Sequence, residues 1–312
     1  MNKYLLIGIS GTIVWILLAI IGPWHLPEPV TSENMILEID GQTDVAPIGP
    51  TAEYWFGLDI RGRNQLSLML VGLKFTLLTI VIIGILRQVV GSAIGIFIGM
   101  WKKPKSPIIQ KGASTFGILS LFPAFLLAYY SLQAFKGMEQ ELTPYIWTIF
   151  FIQVAVLSLI GIAPIAARAQ IQAYQVCSQP YVEASKMLGA SRFWIFRRHI
   201  FRSFKDIFWQ NSLSEMLLVL QLVGQLSLVY LFIGGTKFIS QKEQLSISFE
   251  WLGLIGQNRD WFIIKPETVI IPVISYLLLS TTLFFLQKGV EVCLKSIELQ
   301  MYGSPKKSRS LF

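Results

Sequence analysis

The chain has 312 residues and a formal net charge of +8, yet only 14% of its residues are charged and 53% are hydrophobic. A soluble domain carries roughly 25% charged residues; that deficit, with a mean hydropathy of +0.58, excludes an ordinary soluble protein. The basic residues border apolar runs instead of sharing one soluble face, so membrane topology accounts for the charge and nucleic acid is not expected as a partner.

Lys3 precedes an unbroken apolar run from Tyr4 to Ile21. The run is longer than a signal-peptide core and leads into Gly22-Pro23-Trp24, so it is read as an uncleaved first span with Trp24 at the interface. Residues 23–65 are polar and proline-punctuated, carry seven acids, and form an extracytoplasmic segment. Leu66 to Met100 is too long for one perpendicular crossing, about 50 Å against a hydrocarbon core of about 30 Å. Span two therefore begins near Val71, with Lys74 at the headgroups. Gly84, Gly91, Gly95 and Gly99 supply close-packing positions, and Gly91 and Gly95 have small-xxx-small spacing for a close helix contact. Span three runs from Ala113 to Leu132, span four from Tyr145 to Ala167, span five from Ser212 to Ile233, and span six from Pro266 to Leu286. Trp251 and Trp261, in the loop before span six, are candidates for the outer interface.

In this six-span layout the inner segments hold 17 basic and 4 acidic residues, and the outer segments hold 7 basic and 12 acidic. Lysine and arginine collect on the cytoplasmic side, which places both termini there, in a cell membrane. The divisions are a first helix (1–22), an extracytoplasmic segment (23–65), a core with five further spans (66–290, including a loop at 168–211) and a tail (291–312). The fold class is all-α: a polytopic membrane protein with six transmembrane helices and a cytoplasmic helix-turn-helix loop.

That loop is the distinctive stretch. Ser178-Gln179-Pro180 reads as a helix start with a capping side chain, Glu183 suits the first turn, and Gly189 reads as a C-terminal cap. Ser191 caps a second helix, on which Phe193, Phe196, Ile200, Phe204 and Ile207 share a face at helical spacing. Physically, the segment is either an interfacial helix on anionic headgroups or a docking site.

Tyr181-Val182-Glu183-Ala184-Ser185-Lys186-Met187-Leu188-Gly189-Ala190-Ser191, followed by Arg198-His199-Ile200, resembles the EAA loop of ABC importer permeases. The similarity is closest to the second, C-type permease of dipeptide, oligopeptide and nickel importers. Phe56-Gly57-x-Asp59-x-x-Gly62-Arg63, Gly72-Leu73-Lys74, Phe122-Pro123 and Ala163-Pro164 through Arg168 are similar to that family too. The resemblance covers about residues 56–235. Ser185 stands where the family has alanine, Arg202 where it has proline, and Lys74 where it has arginine. The resemblance implies that Tyr181 to Leu188 is a coupling helix seated in a cytoplasmic ATPase, that Gly189 permits a sharp reversal, and that Glu183 fixes the loop through helix-end hydrogen bonds. It implies a second permease subunit, ABC ATPase subunits and an extracytoplasmic substrate-binding protein as partners, with ATP and magnesium on the ATPase and no cofactor on this chain.

No P-loop, nucleophile elbow or His-Glu-x-x-His occurs, so the chain is not expected to be an enzyme. Cys177 and Cys293 are read as reduced bystanders, and His25 and His199 lack ligand spacing. Arg87, in the middle of span two, is expected either to line a translocation path or to bond carbonyls or a carboxylate of a neighbour. Gln221 and Gln225, four apart on span five, are expected to line a polar path or join helices. Glu215 is read first as a helix-end residue and second as a partner across a helix contact. The rival class is a secondary transporter, which would favour inverted repeats and intramembrane carboxylates.

Overall fold

The computed structural model describes residues 2–25, 36–39, 42–102, 121–136, 146–239 and 244–302. Its long helices are α1 (Lys3–Ile21), α2 (Gln65–Trp101), α3 (Leu121–Lys136), α4 (Ile146–Cys177), α7 (Phe201–Ser227) and α9 (Glu267–Tyr302), with the short α5 (Pro180–Met187) and α6 (Arg192–Ile195) before α7 and α8 (Trp251–Asn258) after it. Among the described residues, four helices are long and apolar enough to cross a membrane: Lys3–Trp24, Gln65–Trp101, Ile146–Cys177 and Glu267–Ser296. They correspond to the first, second, fourth and sixth expected spans. The opening of span three, from Ala113, lies outside the described residues. Span five differs from expectation: its helix ends at Ser227, and a turn through Tyr230, which has φ 57°, follows.

The chain is not purely α-helical. β1 (Ile36–Ile39) pairs antiparallel with β2 (Gln42–Val45), and β3 (Thr236–Phe238) with β4 (Gln244–Ser246). Both hairpins lie in the two polar segments assigned to the outer side, where the proline and glycine content disfavours long helices.

α2 is the strut of the bundle. Its glycines bring three neighbours into backbone-level contact. A Cβ on Gly91 would lie 2.8 Å from Ile165, one on Gly99 2.5 Å from the Gln170 carbonyl, and one on Gly95 would overlap the Ala166 carbonyl. Gly91, Gly95 and Gly99, read from the sequence as close-packing positions, all face α4. Overpacking such a seam costs about 1–3 kcal/mol. Gly95→Leu should therefore lower thermal stability in detergent by that amount, whereas Ile94→Leu, on the exposed side of the same helix, should leave the tryptophan-fluorescence melt almost unchanged.

α1 lies along α9. Gly8 meets Leu286, and the Trp15 indole N–H donates to Thr282 Oγ1 at 3.2 Å. Trp15 also meets the Trp251 ring edge-on, with centroids 5.4 Å apart, while the outer side exposes Ile7, Ile13, Val14 and Leu17, the pattern of a helix packed on one side and facing lipid on the other.

α8 is a short buried helix tucked against the first turns of α2. The Trp251 indole N–H donates to the Met69 carbonyl at 2.8 Å and its backbone N–H to Thr76 Oγ1 at 3.0 Å. Trp251 is only 3% exposed, so it is a packing residue and not the interface anchor the sequence suggested. Trp261 is half-buried.

Glu250 heads α8 with its carboxyl buried, 3.4 Å from the Ile233 N–H and above Gly253. Burial pushes that carboxyl up from the ordinary 4.5 to about 7, because nearby N–H groups offset only part of the lost hydration. The folded chain therefore holds this proton more tightly than the unfolded one. Its contribution to stability is complete below about pH 4.5, falls as pH rises to about 7, and is flat above that. Glu250→Gln should remove this slope and be more stable than wild type by about 3 kcal/mol near pH 8. Thermal melts of the pair across that range test it; parallel pH profiles would refute the burial account.

Candidate functional site

The segment between α4 and α7 is built from short-range rules. α4 does not stop at Ala167 but continues to Cys177, so the first ten residues expected in the loop extend the span. Ser178 does not cap α5: its hydroxyl donates back to the Tyr174 carbonyl at 2.9 Å. The N-cap is Gln179, with no side-chain cap bond, and Pro180 takes the first helical position, where its missing N–H costs nothing.

The end of α5 is a full Schellman motif. Gly189 has φ +84°, its N–H donates to the Lys186 carbonyl at 3.0 Å, and the Ala190 N–H donates to the Ser185 carbonyl at 3.0 Å. Ser191 then caps α6, its hydroxyl accepting the Trp194 N–H at 3.2 Å. Both features follow the sequence reading. Next comes a π-helical turn, Phe196–Ile200, which merges α6 into α7 without a break.

That wider turn rotates the residues around it. Ile195 and Ile200 are buried with Val182, Ala173 and Cys177, whereas Phe193 is 71% exposed. The apolar face expected from regular 3.6-residue spacing holds at Phe196, Ile200 and Phe204, which share one cluster, and is lost at Phe193.

Three further contacts hold α5 in place. Val182 is fully buried, and the Lys186 ammonium donates to the Cys177 carbonyl at 3.0 Å, closing α5 onto the end of α4. The His199 ring lies against both Tyr181 and Trp194, with centroids 5.3 and 5.4 Å away. Lys186 and His199 belong to the stretch that carries the family resemblance, but the sequence reading gave neither a role; their signal is position alone, a cation beside a helix C-terminus and an aromatic beside two others. Glu183, expected to make helix-end hydrogen bonds, is exposed and has no side-chain hydrogen bond among the described residues.

The outcome is a braced helix with a free tip. Tyr181, Glu183, Ala184, Leu188, Gly189 and Ser191 are exposed, Ser185 and Ala190 are half-buried, and Val182 is the anchor. At the tip, Met187 and Leu188 are 88% and 89% exposed. Two neighbouring apolar side chains held that far into solvent by a rigid turn are a surface shaped for a partner.

The other singled-out residues are not all together. The Arg87 guanidinium is buried and turned into α4, donating from Nε and Nη2 to the Leu157 carbonyl at 3.0 and 2.6 Å across the space left by Gly161. Glu215 pairs across helices with Arg168 at 2.5 Å, so it is an interhelical partner and not a simple helix end. Gln221 is exposed and Gln225 half-buried on one side of α7. Gln153 donates to the Phe232 carbonyl at 3.1 Å and accepts the Gly234 N–H at 2.7 Å. It fixes the glycine turn after α7 and was missed in the sequence. Among the described residues, no three His, Cys, Asp or Glu side chains lie close enough to hold a metal ion.

A bundle of long apolar helices presenting a braced helix outside its spans has the architecture of a transport permease. Residues 91–292 match the family described as binding-protein-dependent transport system inner membrane component, and the chain belongs to that family. The probable D,D-dipeptide transport system permease protein of Escherichia coli K12 is 24% identical over 80% of this chain and 72% of its own length. The glutathione transport system permease protein of Pectobacterium atrosepticum is 22% identical, over 74% and 68%. That of Escherichia coli O1:K1 is 24% identical over the same shares. The chain is an inner-membrane permease subunit of an ABC importer, not an enzyme. Membership of a binding-protein-dependent system implies a partner ATPase and a substrate-binding protein.

Proposed function

We propose that this chain forms half of a two-permease pore that imports peptides or a related small solute by alternating access, with α5 as its coupling helix. ATP and magnesium bind a separate cytoplasmic ATPase, and closure of that motor moves α5. The observation that carries this reading is the tip at Met187 and Leu188, exposed while Val182, Lys186 and the Gly189 turn fix the helix beneath it. A partner gripping the tip pushes against α4 and not against a loose loop.

The second permease subunit closes the pore on the side of α7 that carries Gln221 and Gln225, and an extracytoplasmic binding protein delivers substrate. The lysine and arginine census supports six spans with α5 and both termini in the cytoplasm. Relatives named for a D,D-dipeptide and for glutathione support a short peptide as cargo.

Co-expression with the cognate ATPase tests the reading. Met187→Glu with Leu188→Glu should lose ATPase co-purification and substrate uptake, since two charges would meet a desolvated apolar cleft. The Ser214→Ala control, on α7, should retain both. Undiminished co-purification of the double variant would refute the coupling role of α5.

A further inference from the structure

A groove of about 690 Å³ opens between the last turns of α2 and the start of α6 and α7. That is within the roughly 300–1,000 Å³ of pockets that enclose drug-sized ligands. Its walls are apolar, among them Phe97, Ile96, Phe204 and Phe208, and its lining has two cations, Arg192 and Lys205, and no acid. Neither cation forms an ion pair among the described residues. Arg192 is held over the Trp101 ring, its guanidinium carbon 3.6 Å from the centroid, which fixes one positive charge at the mouth. Trp101, Phe201 and Trp209 line the groove and are 60%, 56% and 60% exposed, an aromatic belt of the kind that marks the headgroup level of a bilayer.

We propose that this groove is a binding site for an anionic phospholipid, with an acyl chain along the aromatic walls and the phosphate between Arg192 and Lys205. Charge decides among occupants. The chain's own segment after Trp101 begins with Lys102, Lys103 and Lys105 and continues to Lys111, so it would bring like charge to a lining that already holds two cations. A lipid phosphate neutralises them, and its tail covers an apolar surface that otherwise faces water or headgroups. A lipid wedged there also lies against the helix that runs from the coupling loop into α7. The proposal is independent of what docks on α5.

The test is native mass spectrometry of the purified full-length transporter with phosphatidylglycerol or phosphatidylcholine added. Wild type should retain phosphatidylglycerol in preference to phosphatidylcholine. The Arg192→Gln, Lys205→Gln double variant should bind it roughly ten- to thirty-fold more weakly, as expected when two near-surface cations are removed. Ala93→Trp, at an exposed position lining the groove, should also displace it with both cations in place. A photoreactive phosphatidylglycerol tail should label α2 around Phe97. Equal retention by wild type and both variants overturns the proposal, as does equal binding of the two lipids. A cross-linker placed at Phe97 that captures residues 102–120 or the second permease would name a different occupant and overturn it too.

Discussion

Replacing Gly189 by valine is expected to cut uptake roughly tenfold or more while the assembled complex still hydrolyses ATP. The backbone there has φ +84°, and a Cβ at that position would meet no heavy atom within 4 Å. Side-chain bulk within the chain is therefore not the obstacle; the obstacle is the left-handed conformation. It costs an ordinary L-residue about 1–2 kcal/mol, and a β-branched one more, because its Cβ substituents crowd the carbonyl. Relief of that strain would unwind the Schellman turn and swing Met187 and Leu188 away from the direction set by Val182. Three variants separate backbone from bulk. Asparagine tolerates this region and should keep most uptake, alanine should be intermediate, and valine should lose roughly tenfold or more. Reconstituted complexes give uptake and ATPase rates side by side. If asparagine fails as badly as valine, the backbone explanation is wrong and direct contact with the motor is the better account.

The turn at Gly189 was legible because everything that makes it is local: a proline at the first helical position, a glycine at the end, and a serine two residues later. The close approach of α2 was legible for a similar reason, since glycine at four-residue spacing has few other uses in an apolar helix. What escaped were features set by distant partners or by irregular geometry. The π-helical turn at Phe196–Ile200 has no compositional mark, and it moves Phe193 from the expected apolar face into solvent. Burial of Trp251 depends on Gly72, nearly 180 positions away, which lets the Phe249 carbonyl approach α2. The alternative roles for Arg87 could not be separated by sequence because the accepting Leu157 carbonyl belongs to another helix and to no motif.

These contacts share a route. The glycine face of α2 touches α8 at Gly72, α7 at Gly84 and α4 at Gly91 to Gly99. The far end of α4 in turn holds α5 through the Cys177 carbonyl. Close-packed interiors move as bodies and do not deform continuously. A push on the α5 tip would therefore enter α4 through the Lys186 side chain and pass along the close-packed glycine face of α2 towards the short helix at its other end.

Asp59→Ala should be the most destabilising single change in the polar segment ahead of α2, by about 3–5 kcal/mol. The Asp59 carboxylate is fully buried and accepts four hydrogen bonds: the Arg61 and Arg63 backbone N–H groups at 2.9 Å each, and Arg63 Nε and Nη2 at 2.9 and 2.5 Å. Its removal leaves the Arg63 guanidinium, only 6% exposed, as a buried charge with no counter-ion. The damage would spread, because the turn it closes, with Gly57 and Gly62 at positive φ, delivers Asn64 to cap α2 and Gln65 to the Thr268 carbonyl at the start of α9. Arg63 also lies over the Phe249 ring, 5.1 Å from its centroid, so the α8 seat loosens with it. Breaking a buried pair costs more than replacing it whole. The double variant Asp59→Leu, Arg63→Met should therefore recover a large part of the lost stability. Thermal melts of the three proteins decide the matter: a loss below about 1 kcal/mol for Asp59→Ala, or a double variant no better than the single one, would mean that the ion pair does not hold this turn.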